Sequence, residues 1–179
     1  MTTFDYSVKR IHFVVTMAFA VMVACSNAHA DGLKSHGLFS LEMELLGGYE
    51  SIDLGDDQAG AIYQYTLEIE NKDGSGFLHN AKAKCFAIGY FTNEPEHQTG
   101  FCTITDTEGD TILQRYHRST VLGHVRFVSG TGKYDGLVGD AEYVVNAEDV
   151  WEGNQVASTL SMLGSYQIPK QIFASNAAN

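Results

Sequence analysis

Between residues 60 and 71 the chain sets Ala61, Tyr63, Tyr65, Leu67 and Ile69 at every second position, with Gln64, Thr66, Glu68 and Glu70 between them. Successive side chains of an extended strand point to opposite faces, so this order presses one wall of the segment against a core and turns the other to water. A helix could not sort these residues, because a rotation of about 100° per residue scatters them around its axis. Residues 36–46 obey the same rule, with Phe39, Leu41, Met43 and Leu45 opposed by Ser40, Glu42 and Glu44.

Short runs rich in Val, Ile, Tyr, Phe and Thr recur along the rest of the chain, separated by turns that carry Gly, Asn and Asp. They predict strands over 36–46, 60–71, 77–92, 99–105, 111–118, 120–129, 140–147 and 155–167. The turns expected at Asn71-Lys72-Asp73-Gly74, Thr92-Asn93-Glu94-Pro95 and Asp106-Thr107-Glu108-Gly109-Asp110 use residues that accept the backbone angles of reversal. Many short strands with tight hairpins and no helices between them predict an all-β fold, an eight-stranded antiparallel barrel or a sandwich. Closure would also remove the open edges that invite aggregation. In 77–92 one face carries His79, Ala81, Ala83, Cys85, Ala87 and Gly89, mostly small groups, as a tightly curved wall of a narrow barrel requires. A pocket over that face is the lesser expectation.

The start of the chain has the three parts of a secretory signal: a polar stretch ending at Lys9-Arg10, an apolar run from Ile11 to Ala24, and the small-residue exit Ala28-His29-Ala30. The apolar run is shorter than the roughly 20 residues that span a bilayer, and no later run of that kind follows, so no transmembrane span is expected. Residues 1–30 are thus expected to be removed, 31–169 to form one barrel domain, and 170–179 to form a tail without pattern. The competing end is Met22-Val23-Ala24-Cys25, similar to a bacterial lipobox, which would leave a lipid anchor on Cys25. An exported protein, periplasmic or extracellular, is expected either way. The formal net charge is −11 and grows more negative once Lys9, Arg10 and Asp5 are gone, so nucleic acid and anionic lipid surfaces are not expected partners.

Export permits a disulfide, and both processing routes leave Cys85 and Cys102 inside the fold. If 77–92 and 99–105 form a hairpin, the register that opposes the two cysteines also opposes Ala87 with Gly100 and Ala83 with Ile104. A bridge there would stabilise the fold by roughly 3 kcal/mol on the chain-entropy model.

The run Ser129-Gly130-Thr131-Gly132-Lys133-Tyr134-Asp135-Gly136-Leu137-Val138-Gly139 invites a phosphate-loop reading, which fails because Ala141 to Val145 alternates as a strand and opens no helix. Gly130, Gly132, Gly136 and Gly139 read instead as a compact structural turn. This run resembles the GTGKYAGITG-type turn of allene oxide cyclase-like barrel proteins, relatives of the dirigent proteins, with Asp135 where a small residue is usual. Cys102-Thr103-Ile104-Thr105-Asp106-Thr107-Glu108-Gly109-Asp110 is similar to the C-x-x-x-D-x-D-G-D hairpin of bacterial members. The resemblance implies an eight-stranded barrel with an interior that can be apolar; in plant members that cavity steers cyclisation of an oxygenated fatty acid. No catalytic residue carries over to a position of this chain.

Asp106, Glu108 and Asp110 suggest calcium only superficially, since the loop lacks the later glutamate and flanking helices of an EF-hand. A solvated acidic hairpin is expected. His36, His79, His97, His117 and His124 form no close pair at metal-ligand spacing, and neither metal nor cofactor is expected. His117 with Arg115, and Glu42 with Glu44, would share strand faces that read as outward and polar. The expected function is noncatalytic binding of a small apolar ligand or a protein partner, with Tyr63, Tyr65 and Leu67 lining the interior. The alternatives are a cyclase or isomerase acting in the cavity and an envelope-anchored structural lipoprotein.

Overall fold

The computed structural model describes residues 33–56, 58–91, 97–151 and 154–169. The expected signal peptide with Ala30 and Cys25, the turn at 92–95 and the tail 170–179 lie outside the described residues. Eight strands, β1 (His36–Gly55), β2 (Gln58–Asn71), β3 (Ala81–Phe91), β4 (His97–Thr105), β5 (Thr111–Ser119), β6 (Leu122–Gly130), β7 (Val138–Trp151) and β8 (Gln155–Gln167), follow one another around a closed antiparallel barrel. Each pairs with its chain neighbours, and β1 with β8 closes the ring from His36↔Gln167 to Gly48↔Gln155. The alternation read in β1 and β2 is realised: Phe39, Leu41, Met43, Ala61, Tyr63, Leu67 and Ile69 are buried inside, while Glu44, Glu68 and Glu70 face water.

The register expected for the cysteines is the observed one. Cys85 opposes Cys102, Ala87 opposes Gly100 and Ala83 opposes Ile104, and the two cysteines are bridged with Cα atoms 4.1 Å apart. Both face the interior, next to the small side chains of β3.

Two expectations about extent need correction. Residues 77–80 are not strand. Gly74 and Gly76 take left-handed angles (φ 71 and 86) and so do Leu78 and Asn80 (φ 58 each), which folds Phe77 and Leu78 under the barrel floor. Burying two large apolar side chains stabilises this arrangement more than extending the ladder would, and Asn71 holds it by donating Nδ2–H to Phe77 O at 2.9 Å. His79 therefore leaves the small-residue face and accepts the Asn71 N–H through Nδ1 at 3.3 Å. The second correction is length: β1 runs on to Gly55 and β7 to Trp151. These extensions pair only within the β1–β2 and β7–β8 hairpins, beyond Gly48↔Gln155 and Leu122↔Val144. Residues 50–55 are exposed on both faces, so they carry no alternation for a sequence reading to detect.

The two ends of the barrel differ. At the end where the described chain enters β1 and leaves β8, Phe77 stacks on Tyr166 at 4.2 Å and meets Phe39 at 4.8 Å, Phe127 at 5.8 Å and Tyr134 at 6.0 Å. All five of these aromatic side chains are buried. Toward the opposite end the inward side chains turn polar.

Candidate functional site

Four strands build the polar half of the interior. β4 turns Gln98, Gly100, Cys102 and Ile104 inward, and β5 turns Ile112, Gln114, Tyr116 and Arg118 inward. β2 adds Tyr65 and β8 adds Ser158. Gln98, Gln114, Arg118 and Ser158 are between 3% and 8% exposed, a polar cluster where an inert barrel would hold aliphatic groups. The Tyr116 hydroxyl is hydrogen-bonded with the Tyr65 hydroxyl and donates to Gln98 Oε1 at 3.3 Å. Gln114 Oε1 is enclosed with no hydrogen-bond partner among the described residues, which costs about 1–3 kcal/mol unless something else satisfies it.

Small residues opposite the tyrosines let these rings fold across the barrel. A Cβ on Gly89 would lie 2.8 Å from the Tyr63 ring, and one on Gly100 would lie 2.8 Å from the Tyr116 ring. The small face of β3 is therefore matched to large partners. Among the described residues the interior holds a void of about 30 Å³ between Leu45, Tyr65, Leu67, Gln98, Gln114 and Tyr116. A second of about 20 Å³ lies beside Tyr63, Tyr65, Gln98, Arg118 and Ser158. Each is sized for one or two waters. Two larger depressions, about 410 and 560 Å³, lie beside β1 and have mixed linings, with Glu44, Thr66, Glu68 and Gln64 among apolar groups such as Leu46, Ala157 and Ile62.

Tyr63, Tyr65 and Leu67 all face the interior, Tyr65 touching both voids, Leu67 the first and Tyr63 the second. The polar partners Gln98, Gln114, Tyr116 and Arg118 escaped the sequence reading, although a signal existed. Reading Arg115 and His117 as outward on β5 obliges Gln114, Tyr116 and Arg118 to point inward. Burial, reinforced by Tyr143 and opposed by Arg118, pushes the Tyr116 phenol far above its usual range. It is protonated at neutral pH, where its hydroxyl donates and accepts hydrogen bonds. Among the described residues the buried polar groups facing this space are amides, hydroxyls and a guanidinium.

The glycine-rich turn lies at the plugged end. Gly130 ends β6, Gly132–Tyr134 form a single 3-10 turn, and Gly139 is already in β7. Gly132 needs both its left-handed φ of 53 and its missing side chain, because a Cβ there would strike the Asp110 carboxylate. Gly136 has φ 75. The turn docks on the acidic hairpin: Lys133 N–H donates to Asp110 Oδ2 at 3.0 Å, and Lys133 Nζ lies 2.7 Å from Asp106 Oδ2 and 3.2 Å from Glu108 Oε2. The expectation of a solvated hairpin thus holds for Glu108 but not for Asp106, whose side chain is only 4% exposed. Its Oδ1 accepts the N–H groups of Glu108 at 2.8 Å and Asp110 at 3.0 Å. Burial alone would raise the Asp106 pKa, but Lys133 and these two N–H groups outweigh it and hold the carboxyl below its usual range. Among the described residues no group of three or more His, Cys, Asp or Glu is arranged to hold a metal ion.

The outer wall carries charge at mid-strand, including Glu44, Glu68, Lys84, Arg115 and Glu142. Among the described residues these charges interrupt the outward apolar positions of the wall. No helix among the described residues is long and apolar enough to cross a membrane. The disulfide is compatible with an exported protein.

No protein-family model matches the chain, and no curated protein matches it. Among solved structures it is similar to a pterocarpan synthase dirigent protein, at 12% sequence identity and a TM-score of 0.48, over 76% of this chain and 94% of that one. At that level neither residues nor activity transfer.

Proposed function

We propose that this chain is an exported, noncatalytic β-barrel of the allene oxide cyclase-like, dirigent-related kind found in bacteria, and that it binds a small, largely apolar ligand at the polar end of its interior. The observation that carries this reading is the buried cluster of Gln98, Gln114, Tyr116 and Arg118 facing Tyr65 across the voids. Buried polar groups weaken a core unless they are satisfied, so a cluster of them favours use over inertness. The ligand's apolar body would lie against Tyr63, Tyr65, Leu67 and Leu160, and one polar group would meet Gln98, Tyr116 and Arg118. The present voids accommodate only a few atoms, so a larger ligand displaces Tyr63 and its neighbour Tyr49, whose rings lie 5.4 Å apart toward the polar end.

A cyclase or isomerase reading is weaker here. The inward groups can donate hydrogen bonds and fix orientation, but the protonated Tyr116 phenol offers no base. Cleavage after Ala30, or lipidation at Cys25, belongs to the same proposal. Native mass spectrometry of the protein purified from its own cells tests the binding: a small-molecule adduct should be present and should disappear in Arg118→Met. An adduct-free spectrum from the wild type would refute it.

A further inference from the structure

The charge of this molecule is not evenly spread. Of its 22 acidic side chains, none falls in β3, β4 or β5, whose sequences are AKAKCFAIGYF, HQTGFCTIT and TILQRYHRS. The outward positions of these neighbouring strands instead carry Lys82, Lys84, His97, Arg115 and His117 around large apolar groups. Phe86, Ile88, Tyr90 and Phe101 are 50%, 53%, 42% and 49% exposed. They are contiguous by register: Phe86 opposes Phe101, which opposes Arg115, and Ile88 lies between half-buried Ile62 and Thr99. Lys72, Lys82, Arg126 and Lys133 each pair with a carboxylate. Lys84 and Arg115, which flank the two phenylalanines, meet no carboxylate among the described residues.

We propose that the outer face of β3–β5 docks an acidic polypeptide segment that carries apolar side chains between its carboxylates. Contiguous exposed aromatic groups with a rim of unpaired cations are the composition of an interaction site, and in an acidic protein they select an anionic partner by charge complementarity. A second copy of this chain fits poorly. Face to face, Lys84 and Arg115 of the two copies would repel. Against the acidic outer positions of β7 and β1, such as Asp140, Glu142 and Glu44, the contact would be heterologous and would build open chains. An anionic bilayer fits poorly as well, because a plane laid on this face also approaches the exposed Glu68 and Glu70 of the adjoining β2. A polypeptide touches the basic face alone. This surface is separate from the interior, so its binding stands or falls independently of the ligand proposed above.

The test uses the protein without its leader and a fluorescein-labelled peptide of alternating glutamate and leucine, read by anisotropy. The peptide should bind, and added salt should weaken it. Phe101→Ser and the double variant Lys84→Glu/Arg115→Glu should each weaken it by about tenfold or more, at an unchanged melting temperature. Arg118→Met, inside the barrel, should leave peptide binding intact. Equal binding by the lysine–leucine peptide would overturn the proposal. So would binding unaffected by the salt or the variants, absence of binding by the wild type, and capture of phosphatidylserine vesicles or heparin in place of the peptide. Self-association by light scattering that Phe101→Ser abolishes would assign the face to a second copy and overturn it too.

Discussion

Reducing the Cys85–Cys102 bridge should lower the melting temperature without dismantling the barrel. The cysteines are 17 positions apart, and restoring the unfolded chain's freedom over a loop of that size costs the folded state roughly 3 kcal/mol. A domain of this length shifts by about 2–4 °C for each kcal/mol, so the expected fall is about 6–12 °C. The native geometry should survive, because the β3–β4 ladder holds the two residues opposite each other from Lys82↔Thr105 to Tyr90↔His97. Reduction is the cleaner perturbation, since both thiols remain and no cavity opens. Double substitution by alanine would add a packing loss, because Cys85 and Cys102 are 7% and 2% exposed. Calorimetry with and without a phosphine reductant, with thiol release checked by mass, measures the effect. A shift below about 3 °C would refute the chain-entropy account. Unfolding at room temperature would refute it from the other side, because roughly 3 kcal/mol is less than the usual 5–15 kcal/mol of a stable domain.

Gly132→Ala should destabilise by about 2 kcal/mol or more, through left-handed strain and the collision with Asp110. Gly136→Ala, whose new Cβ would meet only Pro169 at 3.3 Å, should cost less, and equal losses in chemical denaturation would contradict the docked turn. Asp106 has a lowered pKa in the fold, so its contribution is complete above about pH 4 and lost as pH falls through the folded value. Asp106→Asn should flatten the acid limb of the stability curve, and an unchanged limb would count against the Lys133 clasp. Lys133, whose pKa is raised despite burial by Asp106 and Glu108, gives stability that is complete at neutral pH and lost as pH rises through its folded value. Burial also raises the Tyr134 phenol, aided by the nearby Asp106 carboxylate, so its contribution fades above about pH 10; Tyr134→Phe should hold stability further into alkali, as fluorescence-monitored melts would show. Tyr116→Phe removes the group that joins Tyr65 to Gln98 and should cost about 1–3 kcal/mol. A neutral result in urea melts would mean that the interior cluster is not hydrogen-bonded as described.

The strand period, the antiparallel all-β class, the eight strands and the cysteine register were legible because each follows from a local rule. Alternation sorts the faces of β1 and β2, and fixing Cys85 opposite Cys102 fixes every other pair in that ladder. Sequence could not show where Phe77 goes, because its burial under the floor depends on Phe39, Phe127, Tyr134 and Tyr166 arriving from distant parts of the chain. The same holds for Asp106, which looked solvated until Lys133, 27 positions away, closed over it. It holds most of all for the interior. The residues of 60–71 said which side chains point inward, but whether they line a cavity or fill it depends on what crosses from the far wall. Only the tertiary structure sets Tyr116 against Gly100 and Tyr65, and so leaves voids the size of a water where small residues had suggested a pocket.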